Sequence, residues 1–168
     1  MAAIGMGNVL IGMFCMAFCF GLNGTLESKV SMAYGSKDYE MCALWLNRGR
    51  MINTFLMLPI AVLFFQSGNI LKSIGQDEEV ADMAAQFTIY LIPGTWAMVQ
   101  FDATKRFCTS QFKAELPFYT QLFTTILHVI SCFYFIQYLD LKMFGAAITL
   151  NLTYFLNMVI LDLWISQS

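Results

Sequence analysis

Charged side chains gather in short clusters along this chain, and between the clusters it runs apolar for 19 to 26 residues at a time. Five stretches hold no Asp, Glu, Lys or Arg: Met1–Leu26, Ile52–Leu71, Met83–Phe101, Leu116–Leu139 and Met143–Leu161. An α-helix of about 20 apolar residues crosses the ~30 Å hydrocarbon core of a bilayer. Each stretch reaches that length alone or with its flanks. The pattern therefore predicts five membrane-spanning helices, at about 3–26, 44–66, 80–101, 117–139 and 143–165. The fourth stretch carries twelve Leu, Ile, Val or Phe residues. At roughly −0.3 to −0.6 kcal/mol each near a helix centre, these favour insertion by several kcal/mol. Barrel strands of ~9–11 residues are too short to account for such runs. Burial inside a soluble protein is no better, because five helices without a charged face cannot hide behind one another in so short a chain. The expected fold is all-α: one polytopic transmembrane bundle over 1–168.

Composition removes the remaining classes. Of the 168 residues 58% are hydrophobic and 12% charged, against ~45–50% and ~25% in ordinary soluble domains. So few charges cannot dress a small domain in water. A net charge of −2 also lacks the basic footprint that phosphate neutralisation needs, so no nucleic acid is expected as partner. Neither a nucleophile–base–acid set, a phosphate loop nor metal-ligand spacing is found, so no enzyme and no catalytic, cofactor or metal site is expected. Cys15, Cys19, Cys42, Cys108 and Cys132 are scattered without a CxxC pair. Met1–Gly24 lacks the basic start and the small-x-small end of a signal peptide. Sequon matches at Asn23 and Asn151 lie at membrane depth, where glycosylation does not occur.

The basic residues then orient the bundle. Lys29, Lys37, Arg48 and Arg50 lie in the first connecting segment, Lys105, Arg106 and Lys113 in the third. The second has only Lys72 and the fourth, Asp140–Lys142, only Lys142. Alternate loops share a side, and positive charge marks the cytoplasmic one. Segments 27–50 and 102–115 are expected to be cytoplasmic in a multi-pass integral membrane protein.

Polar residues inside the spans need partners in hydrocarbon, either across helices or in a wet cavity. They are Asn8, Asn23, Thr25, Asn53, Thr54, Gln86, Thr88, Gln100, His128, Ser131, Gln137, Asn151, Thr153 and Asn157. His128 is the only histidine, in mid-span and able to titrate near neutrality. Gly5, Gly12 and Cys19, seven apart, form a small-residue stripe, and Gly145-Ala146-Ala147 thins the last helix; both suit close helix contact. Pro59 and Pro93 are expected to interrupt the second and third spans. Asp102 is placed to pair with Lys105 or Arg106. No carboxylate is expected deep in the bilayer.

An ordered set of motifs points to a family. The run Gly21–Ser36, with Glu27, Ser31, Tyr34 and Gly35, resembles the "ALDTL.SQAYGA" element of multidrug and toxic compound extrusion (MATE) transporters. Leu46-Asn47-Arg48 resembles the family's "LQR", Gly75-Gln76-Asp77 its "GQDP" and Leu91-Ile92-Pro93-Gly94 its "IPgL". Arg106-Phe107 with Gln111 and Pro117 is similar to "RFLQAQ…P", and His128-Val129 and Gly145-Ala146-Ala147 match eukaryotic-type members. Met32, Thr109 and Lys29 depart from the family's usual residues.

The resemblance implies helices two to six of a twelve-helix, two-lobed carrier, with the second lobe supplied by the same full-length chain or another. It further implies export of small organic, often cationic, compounds in exchange for protons or sodium, with no cofactor beyond the coupling ion. Gln100, His128, Asn151, Tyr154 and Asn157 are the cavity-lining candidates, and Tyr90, Trp96 and Tyr154 offer cation–π faces. The rival expectation is a transport-inactive membrane scaffold derived from the same family.

Overall fold

A computed structural model describes residues 2–138 and 142–167. The described residues form helices and short turns, with no strand. The fourth connecting segment, at 139–141, lies outside the described residues, as does the side chain of Gln137. Helix α1 (Ala2–Ile11) passes through a π-helical turn, Gly12–Met16, into α2 (Ala17–Gly35). The rest are α3 (Tyr39–Phe65), α4 (Ser67–Ser73), α5 (Glu78–Tyr90), α6 (Ile92–Ser110), α7 (Glu115–Cys132) with a π-helical extension Phe133–Tyr138, and α8 (Lys142–Gln167).

Among the described residues four segments are long and apolar enough to cross a membrane: Ile4–Gly35, Tyr39–Phe65, Glu115–Ile136 and Met143–Ser166. The third expected span differs. It is split at Leu91 into α5 and α6, because Pro93, the second residue of α6, has no N–H to continue the ladder. Pro59 behaves otherwise: it lies inside α3, which continues to Phe65.

Helix α6 is the hub, packing against α2, α3 and α8, while α1 lies on α5 and α7 on α8. The largest buried cluster joins Cys15, Met57, Phe64, Phe87, Leu91 and Val99 from four different helical segments. Outward-facing surfaces are as apolar as the core. Phe55, Leu58, Val62 and Phe65 of α3 are exposed, as are Phe118, Leu122, Ile126 and Val129 of α7. Such stripes suit hydrocarbon and not water.

Close helix contact falls elsewhere than on the stripe read from sequence. A Cβ on Gly5 or Gly12 would meet nothing within 4 Å, whereas one on Gly7 would stand 2.7 Å from the Phe87 ring. The π-helical turn adds a residue to the register, so a strict seven-residue repeat does not stay on one face. Cys19 is buried, as is Ala147 of the small-residue run in α8.

Both turns rich in basic residues close the same way. Lys37 and Phe112 each take a φ of 61° just past the ends of α2 and α6. In each, the residue after the left-handed one donates back into the helix: Asp38 N–H to Ala33 O at 3.0 Å, and Lys113 N–H to Cys108 O at 2.9 Å. Asp38 then caps α3 by accepting from Met41 N–H at 3.0 Å. The Tyr34 and Phe112 rings lie 6.3 Å apart, so the two turns sit at one end of the bundle. At another turn, near α4 and α5, Lys72 pairs with Asp82 at 2.9 Å. Its hydrogen bond to Asp82 raises the lysine pKa.

Candidate functional site

A chain of polar groups crosses α2, α3 and α6. Asn53 Nδ2 donates to Asn23 Oδ1 at 2.7 Å, and Asn23 Nδ2 donates to Asp102 Oδ2 at 2.9 Å. Arg106 Nε donates to the same Asp102 oxygen at 2.9 Å, and its Nη1 reaches Glu27 Oε2 at 2.9 Å. Of its charged members Asp102 is the most sheltered, with 13% of its side chain exposed. Burial pulls the Arg106 pKa down, but Asp102 and Glu27 outweigh it and raise it. The expected Asp102 pairing is therefore with Arg106, and Asn23 shares the same carboxylate. Two family-motif residues, Glu27 and Arg106, meet here across helices.

Next to this chain, α3, α6 and α8 enclose a cleft of about 420 Å³. Arg50 of α3 pairs with Asp162 of α8, and both bond Thr104 of α6. Thr54 Oγ1 accepts from Trp96 Nε1 at 3.2 Å and from Gln100 Nε2 at 3.0 Å. Gln100 is buried, and its Oε1 has no hydrogen-bond partner among the described residues. Leaving such an acceptor unmatched costs about 1–3 kcal/mol. The wall thus combines an ion pair, an indole and a side-chain amide, with Met51, Phe55 and Met158 as its apolar part. That mixture of apolar surface with a few convergent polar groups is what small-molecule sites share.

Of the five cavity candidates, Gln100 lines this cleft. The other four lie apart from it. Asn157 accepts from Thr124 Oγ1 at 2.7 Å, joining α7 to α8. His128 Nδ1 lies 2.8 Å from Thr153 Oγ1, and its Nε2 lies 3.5 Å from Cys132 Sγ. Asn151 Nδ2 donates to Tyr90 O at 2.8 Å, where the α5–α6 break frees backbone carbonyls. Tyr154 is half-buried against the main apolar cluster. Of the aromatic candidates, Trp96 faces the cleft and Tyr90 packs on Phe144 at 4.9 Å.

Arg50, Thr54 and Asp162 complete the cleft, and sequence reasoning did not nominate them. Arg50 and Asp162 stand 112 positions apart, and only the opposite charges near two span ends hinted at a pair. The remaining motif residues lie away from the cleft. Gly21, Ser31, Tyr34 and Gly35 lie on α2, Arg48 on α3 and Pro93 at the start of α6. Gln111 caps the end of α6 and Pro117, buried, opens α7. Beside Gln111, burial pushes the Cys108 thiol up to about 11.

The family profile described as MatE matches residues 1–134. The chain belongs to the MATE family. It is 30% identical over 149 residues to Protein DETOXIFICATION 3 of Arabidopsis thaliana, covering 89% of this chain and 31% of that protein. Against Protein DETOXIFICATION 17 of the same plant it is 26% identical over 151 residues, 90% of this chain and 32% of the relative. Its structure superposes on the crystal structure of the eukaryotic MATE transporter AtDTX14 with a TM-score of 0.93 and 26% identity, over 98% of this chain and 37% of that one. The chain thus spans about a third of the length of these relatives. MATE transporters are integral membrane proteins, and the apolar outer stripes of α3 and α7 fit that setting. These relatives give the scaffold expectation no support.

Proposed function

We propose that this chain contributes a helical bundle to a MATE-type carrier that exports small organic cations in exchange for protons or sodium. The cleft between α3, α6 and α8 is, in this reading, part of the substrate route. One observation carries it: the Gln100 amide, the Trp96 indole and the Arg50–Asp162 ion pair line one cleft with Met51, Phe55 and Met158. A side-chain amide, an aromatic face and a carboxylate for which an organic cation competes with Arg50 together suit a ligand with N–H donors and a delocalised positive charge. His128, Asn151, Tyr154 and Asn157 act at the α5, α7 and α8 contacts and shape the bundle around that route. Segments 27–50 and 102–115, which meet at one end, are the cytoplasmic ones.

The test places residues 1–168 into a full-length MATE relative in place of its matching segment. The chimera is reconstituted in proteoliposomes, and efflux of a fluorescent organic cation such as ethidium is followed under an imposed proton or sodium gradient. Gradient-dependent efflux that falls about tenfold or more in Gln100→Leu is expected, since an acceptor lost from a site matched to a donor is costly. A correctly inserted chimera that moves no cation under either gradient overturns the proposal.

A further inference from the structure

On an exposed face of α2 and α3, away from the cleft, Lys29 and Arg48 both lie over one indole. Lys29 Nζ lies 5.8 Å and Arg48 Cζ 5.4 Å from the centre of the Trp45 ring. Among the described residues neither cation has a carboxylate within ion-pair distance, although Arg50, Lys72 and Arg106 all do. Both are exposed. Below them a groove of about 130 Å³ runs between the helices, with Leu22 and Ile52 as exposed apolar walls. Its floor is closed where Gly49 meets Leu26, since a Cβ there would stand 2.9 Å from a leucine methyl.

Size and charge choose the occupant. Drug-sized ligands need about 300–1,000 Å³, so the groove is too small for one. Two cations without a carboxylate partner beside a furrow with apolar walls complement a lipid phosphate with its acyl chain along those walls. We propose that the α2–α3 groove binds one anionic glycerophospholipid, its phosphate between Lys29 and Arg48 and an acyl chain along Leu22 and Ile52. The proposal requires membrane insertion and is independent of the transport reading.

Trp45 reports on its own groove once Trp96 and Trp164, the other two tryptophans, are replaced by Phe. In phosphatidylcholine nanodiscs, brominated phosphatidylglycerol is expected to quench Trp45 with an apparent affinity about tenfold above that of brominated phosphatidylcholine. Lys29→Gln/Arg48→Gln removes the preference, while Lys37→Gln/Lys105→Gln, with the same charge loss elsewhere, keeps it. Equal quenching by both lipids would mean general anchoring, and no quenching by either would mean a protein segment covers the groove; each overturns the proposal. A preference that survives in Lys29→Gln/Arg48→Gln does so as well. Native mass spectrometry of the unaltered chain gives a second reading that depends on no substitution. Phosphatidylglycerol retained after delipidation, with phosphatidylcholine lost, supports the site, and retention of neither refutes it.

Discussion

Asn151 of α8 rests directly on Gly94 of α6: a Cβ on that glycine would stand 2.2 Å from Asn151 Oδ1 and 3.1 Å from its Cα. From this position Asn151 Nδ2 reaches over to the Tyr90 carbonyl at the break between α5 and α6. Close approach and the amide's one hydrogen bond to the helix break are thus one contact, with Asn151 Oδ1 left without a partner among the described residues. In lipid, where burial gives little drive between helices, such contacts set which helices meet.

Gly94→Ala is expected to push α8 outward and to cost about 1–3 kcal/mol, as overpacking does. Thermal unfolding in detergent reads this as a lower midpoint. Gly94→Ala/Asn151→Ala, which shortens the colliding side chain, recovers part of the loss, a coupling that separate sites would not show. An unchanged midpoint in Gly94→Ala would mean that α8 is not held against α6.

The chain from Asn53 through Asn23 and Asp102 to Arg106 predicts unequal effects. Asp102→Asn leaves Arg106 with Glu27 alone, whose side chain is 41% exposed, and so loses the better sheltered partner. A cost of about 1.5–3 kcal/mol is expected, the range for a hydrogen bond to a charged group. Glu27→Gln, at the exposed end, is expected to cost less than 1 kcal/mol, roughly the range of surface pairs. Denaturant unfolding of both variants checks the order, and a larger loss in Glu27→Gln contradicts it.

Lys37 and Phe112 hold left-handed backbone without being glycine. That conformation costs an ordinary residue about 1–2 kcal/mol, and glycine's extra freedom in the unfolded chain returns ~0.5–1 of it. Lys37→Gly and Phe112→Gly are each expected to stabilise by about 0.5–1 kcal/mol, read as a raised unfolding midpoint. Destabilisation by either would place the turn elsewhere in φ.

Cys108 makes one pH-dependent contribution to stability. Burial raises its thiol from the ordinary 9.0 to about 11, so the folded state binds this proton more tightly than the unfolded state does. Its contribution is complete below pH 9 and is lost as pH rises towards 11. The thiolate, at under about one part in a thousand near pH 7.5, is the reactive form. Maleimide labelling of Cys108 should be very slow at neutral pH and climb about tenfold per unit up to pH 10. Rapid labelling at pH 7 would show an exposed thiol.

Charge placement along the chain exposed the helical class, because a run without Asp, Glu, Lys or Arg needs no partner to be recognised. The split of the third span was legible too, in Pro93. Sites were less so. Gln100 stood out as a polar residue in an apolar run, but Arg50 and Asp162 lie near span ends, where charges are ordinary. Their pairing comes from how α3 and α8 lean on α6, and no local pattern encodes that. The small-residue stripe failed for a related reason: the π-helical turn at Gly12–Met16 lies between Gly12 and Cys19, so Cys19 is buried while Gly5 and Gly12 both face open space.

His128 offers a test of hydrogen-bond polarity inside the bundle. Thr153 Oγ1 donates its only proton to Thr149 O at 2.8 Å. The 2.8 Å contact with His128 must then be donated by the ring, so Nδ1 carries the hydrogen. Nε2 is left as acceptor, facing the Cys132 thiol at 3.5 Å. An asparagine amide places its N–H₂ near the Nδ1 position, whereas leucine places no donor there. His128→Asn is therefore expected to keep most of the stability, and His128→Leu to lose about 1–2 kcal/mol from the unmatched threonine oxygen. Thr153→Val should bring His128→Leu back towards the parent by removing that orphaned acceptor. In ¹⁵N spectra of the unaltered chain the Nδ1–H tautomer should dominate the neutral ring. A dominant Nε2–H form would reverse the polarity of the contact and remove the reason for the ranking.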